Sequence, residues 1–158
     1  FKNLYPFDCN QIKREEYVDF AHIMEDYLWP RITGINKLSI YVNGYVKYLR
    51  DAKECRVEVS EFSGDNTYED AAEKIKSQID AGLPIPFLTL RHKDKVYNDY
   101  VWHWYLVNGY DDTEDGFKVK AVTYSGYKWL DFEGLWNTGC TPTGGMIIYS
   151  LRDAESAL

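Results

Sequence analysis

Apolar positions along this chain change their period once, near Pro84: helical spacing dominates before it and strand-like runs after it. Residues 1–11 read as an extended opening with a turn from Pro6 to Asn10. From Ile12 to Leu28, Tyr17, Phe20, Ala21, Met24, Tyr27 and Leu28 recur at helical spacing, while Lys13, Glu15, Asp19, Glu25 and Asp26 lie mostly opposite. Trp29-Pro30 ends this helix, because a residue ahead of proline avoids the helical region. A second helix after Thr33-Gly34 carries Leu38, Val42, Tyr45 and Leu49 as its stripe. Cys55 to Phe62 alternates, with Cys55, Val57 and Val59 on one half-buried face of a strand. Thr67 is suited to cap a third helix, with Glu69 and Asp70 in its first turn; Tyr68, Ala72, Ile75 and Ile79 form its buried face and Gly82 its stop.

Strands are expected over Ile85–Leu90, Tyr100–Gly109, Phe117–Thr123, Tyr127–Asp131 and Met146–Leu151, with an acidic hairpin loop from Asp111 to Gly116 and a helical turn between Asp131 and Trp136. Helices first and an antiparallel sheet afterwards make an α+β chain. With 158 residues and no repeat or linker, it reads as a single domain, 1–158.

Composition narrows the choice of partners. Apolar residues at 45% and aromatic ones at 16% describe a chain with a core to bury. A formal net charge of −7 argues against nucleic acid or an anionic membrane, both of which reward a basic surface. No apolar run approaches the roughly 18–20 residues of a membrane-spanning helix. Cys9, Cys55 and Cys140 lie far apart, and His22, His92 and His103 share no ligand spacing, so neither a metal nor another cofactor is expected. The segment Arg91-His92-Lys93-Asp94-Lys95 reads as a solvated loop. The first residue is Phe1 rather than Met. Processing upstream is therefore expected, and a secreted or cell-surface setting is favoured.

One constellation goes further. Ala81-Gly82-Leu83-Pro84-Ile85-Pro86, a strand, a polar loop, Trp102-His103-Trp104-Tyr105-Leu106-Val107-Asn108-Gly109-Tyr110-Asp111, an acidic hairpin and Gly144-Gly145 before the last strand succeed one another. This series resembles the papain-like cysteine peptidases, and within them the relatives of the double-glycine leader peptidases. The resemblance covers roughly residues 33–151 and implies a papain-like α+β fold, with helices packed on the sheet. It implies thiol-dependent hydrolysis of a peptide bond, with a peptide or protein as ligand and His103 in the place of the general base. Taken alone, an imidazole beside Val101, Tyr105 and Val107 suits a cleft base and a hydrogen-bonded core histidine equally.

The other roles depart from the family's pattern. The base's orienting partner should be an acid or amide near Thr123-Tyr124-Ser125-Gly126, where only the hydroxyls of Thr123 and Tyr124 stand. Asp131 and Asn137 come later and read as turn or surface residues. Cys9 is the candidate nucleophile, being placed just before a helix, with Asn3 about where an oxyanion-hole residue would be. The charged run Gln-Ile-Lys-Arg-Glu-Glu behind it is unlike a buried central helix. Cys55 reads as a buried strand residue and Cys140 as a loop thiol. Three readings stand: a peptidase-like enzyme whose nucleophile helix lies on a separate N-terminal segment, a catalytically inactive papain-like binding module, and an unrelated α+β domain. The aromatic cluster Trp102, Trp104, Tyr105, Tyr110, Tyr124, Tyr127, Trp129 and Trp136 reads either as a peptide- or sugar-binding surface or as core and sheet packing.

Overall fold

A computed structural model describes residues 4–152. Two compact units make up the chain, one from 1–59 with 150–158 and one from 60–149, and the division falls inside strands β1 and β6.

The first unit holds α1 (Arg14–Leu28) and α2 (Leu38–Asp51). Trp29 takes a left-handed backbone, φ 42°, and caps α1 by donating its N–H to Glu25 O, so the helix ends where Pro30 requires. The two helices meet at Gly44, where an added Cβ would stand 2.5 Å from the carbonyl oxygen of Tyr27. Around that contact Phe20, Tyr27 and Tyr48 pack edge to face, and the Tyr48 hydroxyl donates to Leu4 O at 2.7 Å.

The second unit is built on a mixed arrangement of helices and antiparallel strands. Its elements are the greater part of β1 (Val57–Ser63), α3 (Tyr68–Asp80), β2 (Ile85–Thr89), a 3₁₀ helix (Lys95–Tyr100), β3 (His103–Thr113), β4 (Gly116–Thr123), β5 (Gly126–Asp131), α4 (Phe132–Trp136) and most of β6 (Gly144–Leu151). Strand order in the sheet is β1-β6-β2-β3-β4-β5, which leaves β5 at one edge. Thr67 caps α3 as expected: its hydroxyl accepts from Asp70 N–H at 3.2 Å. The alternation along β3 and β4 turns Tyr105, Val107, Phe117, Val119 and Ala121 into the core, against Ala71 and Ile75 of α3 and Phe132, Leu135 and Trp136 of α4. Rings of Tyr68, Phe87, Phe117 and Trp136 surround Phe132, which is fully buried.

Gly144 explains the late glycine pair. At φ 108°, a Cβ there would run into the carbonyl of Leu88, so β6 can lie beside β2 only without a side chain at that point.

Several expected boundaries move. The strand foreseen from Tyr100 starts at His103, because Asp94 caps a 3₁₀ turn whose Tyr97 and Tyr100, three apart, are both buried. Strands β3 and β4 run on through the acidic segment to a tight turn at Glu114-Asp115. Cys55 is exposed ahead of β1 rather than buried in it, since the strand begins at Val57. Among the described residues, no helix is long and apolar enough to cross a membrane.

Candidate functional site

The site grows from the start of β3. Val101 bridges to Thr89, and Trp102 adopts a left-handed backbone, φ 55°. β3 opens directly after that kink, with His103 opposite Thr89 and Leu88 opposite Trp104. Alternation then puts His103, Tyr105 and Val107 on the core-facing side, as the sequence pattern predicts, with Leu106 exposed between them. On the neighbouring strand Ala121 opposes Val107, so Thr123, two residues on, points the same way.

Those two strand ends bring His103 and Thr123 together. Nε2 of His103 and Oγ1 of Thr123 form a hydrogen bond of 2.6 Å. A hydroxyl serves there as acceptor or donor, so the tautomer is set by what Nδ1 meets. Nδ1 has no hydrogen-bond partner among the described residues. Burial pushes the His103 pKa down from its ordinary 6.5, and no nearby charge contributes. The ring is therefore mostly neutral at pH 7.

Tyr124 contributes its ring rather than the hydroxyl considered from sequence. It stacks on the imidazole with centroids 4.7 Å apart and planes 3° from parallel. The turn makes this possible: Tyr124 and Ser125 both have positive φ, 49° and 62°, forming the two-residue hairpin loop between β4 and β5. Such turns favour Asn and Gly, and a left-handed tyrosine costs about 1–2 kcal/mol. Behind His103 the stack continues to Tyr105, whose ring lies on Phe87. The Tyr105 hydroxyl is tied to Thr89 Oγ1 at 2.8 Å, and burial pushes its pKa far up, so it stays a neutral phenol.

A cleft of about 450 Å³ opens beside this group, lined by Tyr100, Ala121, Thr123, Tyr124, Tyr127 and Lys128. Lys128 Nζ faces the Asp99 carboxylate at 3.8 Å on its rim.

The remaining expected residues sit elsewhere. Cys9 is exposed in a turn of the first unit, where Asp8 accepts the N–H of Asn10 at 2.8 Å. Helix α1 starts at Arg14 with Lys13 as its cap residue, so Cys9 holds no capping position and gains nothing from first-turn amides. Asn3 lies outside the described residues. Asp131 caps α4, accepting Gly134 N–H at 2.7 Å, and Asn137 is the exposed residue that closes the same helix. Cys140 is half-buried in a loop, its N–H donating to Thr138 Oγ1.

His92 was expected in a solvated loop but is a structural residue. Its Nδ1 accepts from Asp94 N–H at 2.9 Å, which requires Nε2 to carry the proton it donates to Gly134 O, also at 2.9 Å. One neutral imidazole thus ties the loop after β2 to α4. Among the described residues, no group of three or more His, Cys, Asp or Glu is placed to hold a metal ion.

The roles of Tyr100 and of the Tyr124 ring were not visible in the sequence. The usable signal was the spacing at Thr123-Tyr124-Ser125-Gly126, where two residues between strands demand a tight hairpin and place whatever stands there beside the strand ends. No protein-family model, curated protein sequence or solved structure matches this chain.

Proposed function

We propose that this is a papain-like cysteine peptidase domain in which His103 is the general base and Thr123 its orienting partner. The observation that carries the reading is the 2.6 Å bond at Nε2, which holds a neutral imidazole in place and leaves Nδ1 for a substrate or thiol proton. In the proposed step Nε2–H donates to Thr123 Oγ1. Nδ1 takes the proton of a cysteine thiol, and the thiolate attacks the carbonyl carbon of a peptide bond. The imidazolium then returns its proton to the departing amine, and water releases the acyl group. The helix-then-antiparallel-sheet order and the glycine pair ahead of β6 support the fold assignment.

A second reading is favoured by two particulars. Thr123 is neutral and stabilises an imidazolium less than a carboxylate does, and Cys9 stands at no helix N-terminus. On that reading the same cleft binds peptide without cutting it. Alkylation by iodoacetamide between pH 6 and 8, tracked cysteine by cysteine by mass spectrometry, separates the two. The peptidase reading expects one thiol that reacts several-fold faster than a free peptide thiol below pH 7, and loses that advantage in His103→Ala. Uniform, ordinary reactivity at Cys9, Cys55 and Cys140 in both proteins would overturn a nucleophile among these three thiols and favour the binding module.

A further inference from the structure

The cleft beside His103 holds an unused hydrogen-bonding group. Tyr100 is buried, with a relative exposure of 3%, and its hydroxyl has no hydrogen-bond partner among the described residues. Its oxygen is not sealed from solvent, and Tyr100 lines the cleft. A phenol in that position is a polar tip at the inner wall of a pocket that the Tyr124 side chain also lines. At about 450 Å³ the cleft lies toward the small end of the ~300–1,000 Å³ range of ligand pockets, enough for one ring and its backbone.

The pocket adjoins a sheet edge with free backbone groups. The Tyr124-Ser125 loop is a two-residue hairpin, so its closing pair, Thr123 and Gly126, exchanges hydrogen bonds. Alternation along an antiparallel pair then turns the N–H and C=O groups of Tyr127 and Trp129 away from β4. Among the described residues nothing lies beyond β5 in the sheet order, and Tyr127 and Trp129 are both exposed. No backbone hydrogen bond occupies those groups among the described residues.

We propose that β5 receives an extended peptide as an added strand, and that the cleft takes from it a tyrosine side chain whose hydroxyl meets that of Tyr100. The ring of Tyr124 supplies a flat wall, and the phenol tip accounts for the otherwise idle Tyr100 hydroxyl. Lys128 and Asp99 neutralise one another at the rim, which selects an uncharged side chain over Asp, Glu, Lys or Arg. The proposal deepens the peptidase reading by naming the substrate residue beside His103, and rests on that reading only for the cleavage of the peptide once bound.

Binding is tested without reference to catalysis. Capped tripeptides acetyl-Ala-X-Ala-amide, with X as Tyr, Phe, Ala or Lys, are titrated into ¹⁵N-labelled protein. The Tyr peptide is expected to shift the amides of Tyr127 and Trp129 and to bind about three- to ten-fold more tightly than the Phe peptide, the worth of one hydrogen bond. Ala and Lys peptides bind more weakly still. In Tyr100→Phe the preference for Tyr over Phe disappears while Phe binding persists. Methylating the peptide's backbone nitrogens one at a time weakens binding at alternate positions only, as a strand ladder requires, and leaves the protein unaltered. Equal binding of all four peptides, or a Tyr preference that survives Tyr100→Phe, overturns the pocket assignment. Tolerance of methylation at every position overturns the added strand. Either failure leaves the thiol-reactivity result untouched, so the two readings fall separately.

Discussion

Helices α1 and α3 are nearly equal in length, 15 and 13 residues, and both carry an apolar stripe against a charged face. Their surroundings differ. Helix α3 buries Ala71 and Ile75 completely and sets Gln78 into the fold, where its amide spans the backbone of Tyr149 with two bonds, of 2.8 and 2.9 Å. Helix α1 has no buried residue at all, and Tyr17, Val18 and Ile23 stand exposed on it. A stripe thus says which face of a helix seeks cover, and the sheet of the second unit supplies that cover to α3. What fastens α1 is local: edge-to-face rings and the close approach at Gly44.

The contrast is open to attack at several strengths. Phe132→Ala empties a position ringed by four aromatic side chains and is expected to cost about 3–5 kcal/mol in urea unfolding. A loss below about 1 kcal/mol would mean that the second unit has no rigid core. Gly44→Ala drives a Cβ to within 2.5 Å of a backbone oxygen. About 1–3 kcal/mol is expected to be lost, read by hydrogen exchange as deprotection of α1 and α2. Equal deprotection of β3 would show that the two units unfold as one.

Next in size is the effect of pH through His103. Its pKa is lower in the folded protein than the ordinary 6.5. The unfolded chain therefore binds the proton first, and the stability this group contributes is complete above about pH 6.5. It is lost as pH falls from there through the folded pKa. In His103→Gln that part of the slope should vanish from unfolding curves taken between about pH 5 and 7.5; an unchanged slope would place the titration elsewhere. Smallest is Val18→Ala on exposed α1, expected within about 0.5 kcal/mol of the parent. A larger loss would show that α1 is covered in solution.

Local rules made much of this fold legible. Thr67 announces α3, Trp29-Pro30 closes α1, and the two-residue period of β3 assigns His103 to the inner side before any coordinates. Contacts between distant segments were not legible. The insertion of β6 between β1 and β2 depends on pairing across more than fifty residues, and no local period reports it. His92 looked solvated because its partner, the carbonyl of Gly134, lies 42 residues away. The bond between His103 and Thr123 stood in between: each residue was visible as a candidate, but their meeting depends on the β3–β4 register and on the bulge between Val107 and Tyr110.

The left-handed Tyr124 bears on anyone who sets out to make this protein more robust. A sequence-averaging or turn-optimising procedure would exchange Tyr124-Ser125 for Asn-Gly, since that pair suits the hairpin and relieves the backbone. The melting temperature would gain, and the imidazole would lose the ring laid flat against it. Heat resistance and the chemistry of the cleft are therefore set against each other at a single position, and a thermostability screen run without a functional readout would select the wrong side of that bargain.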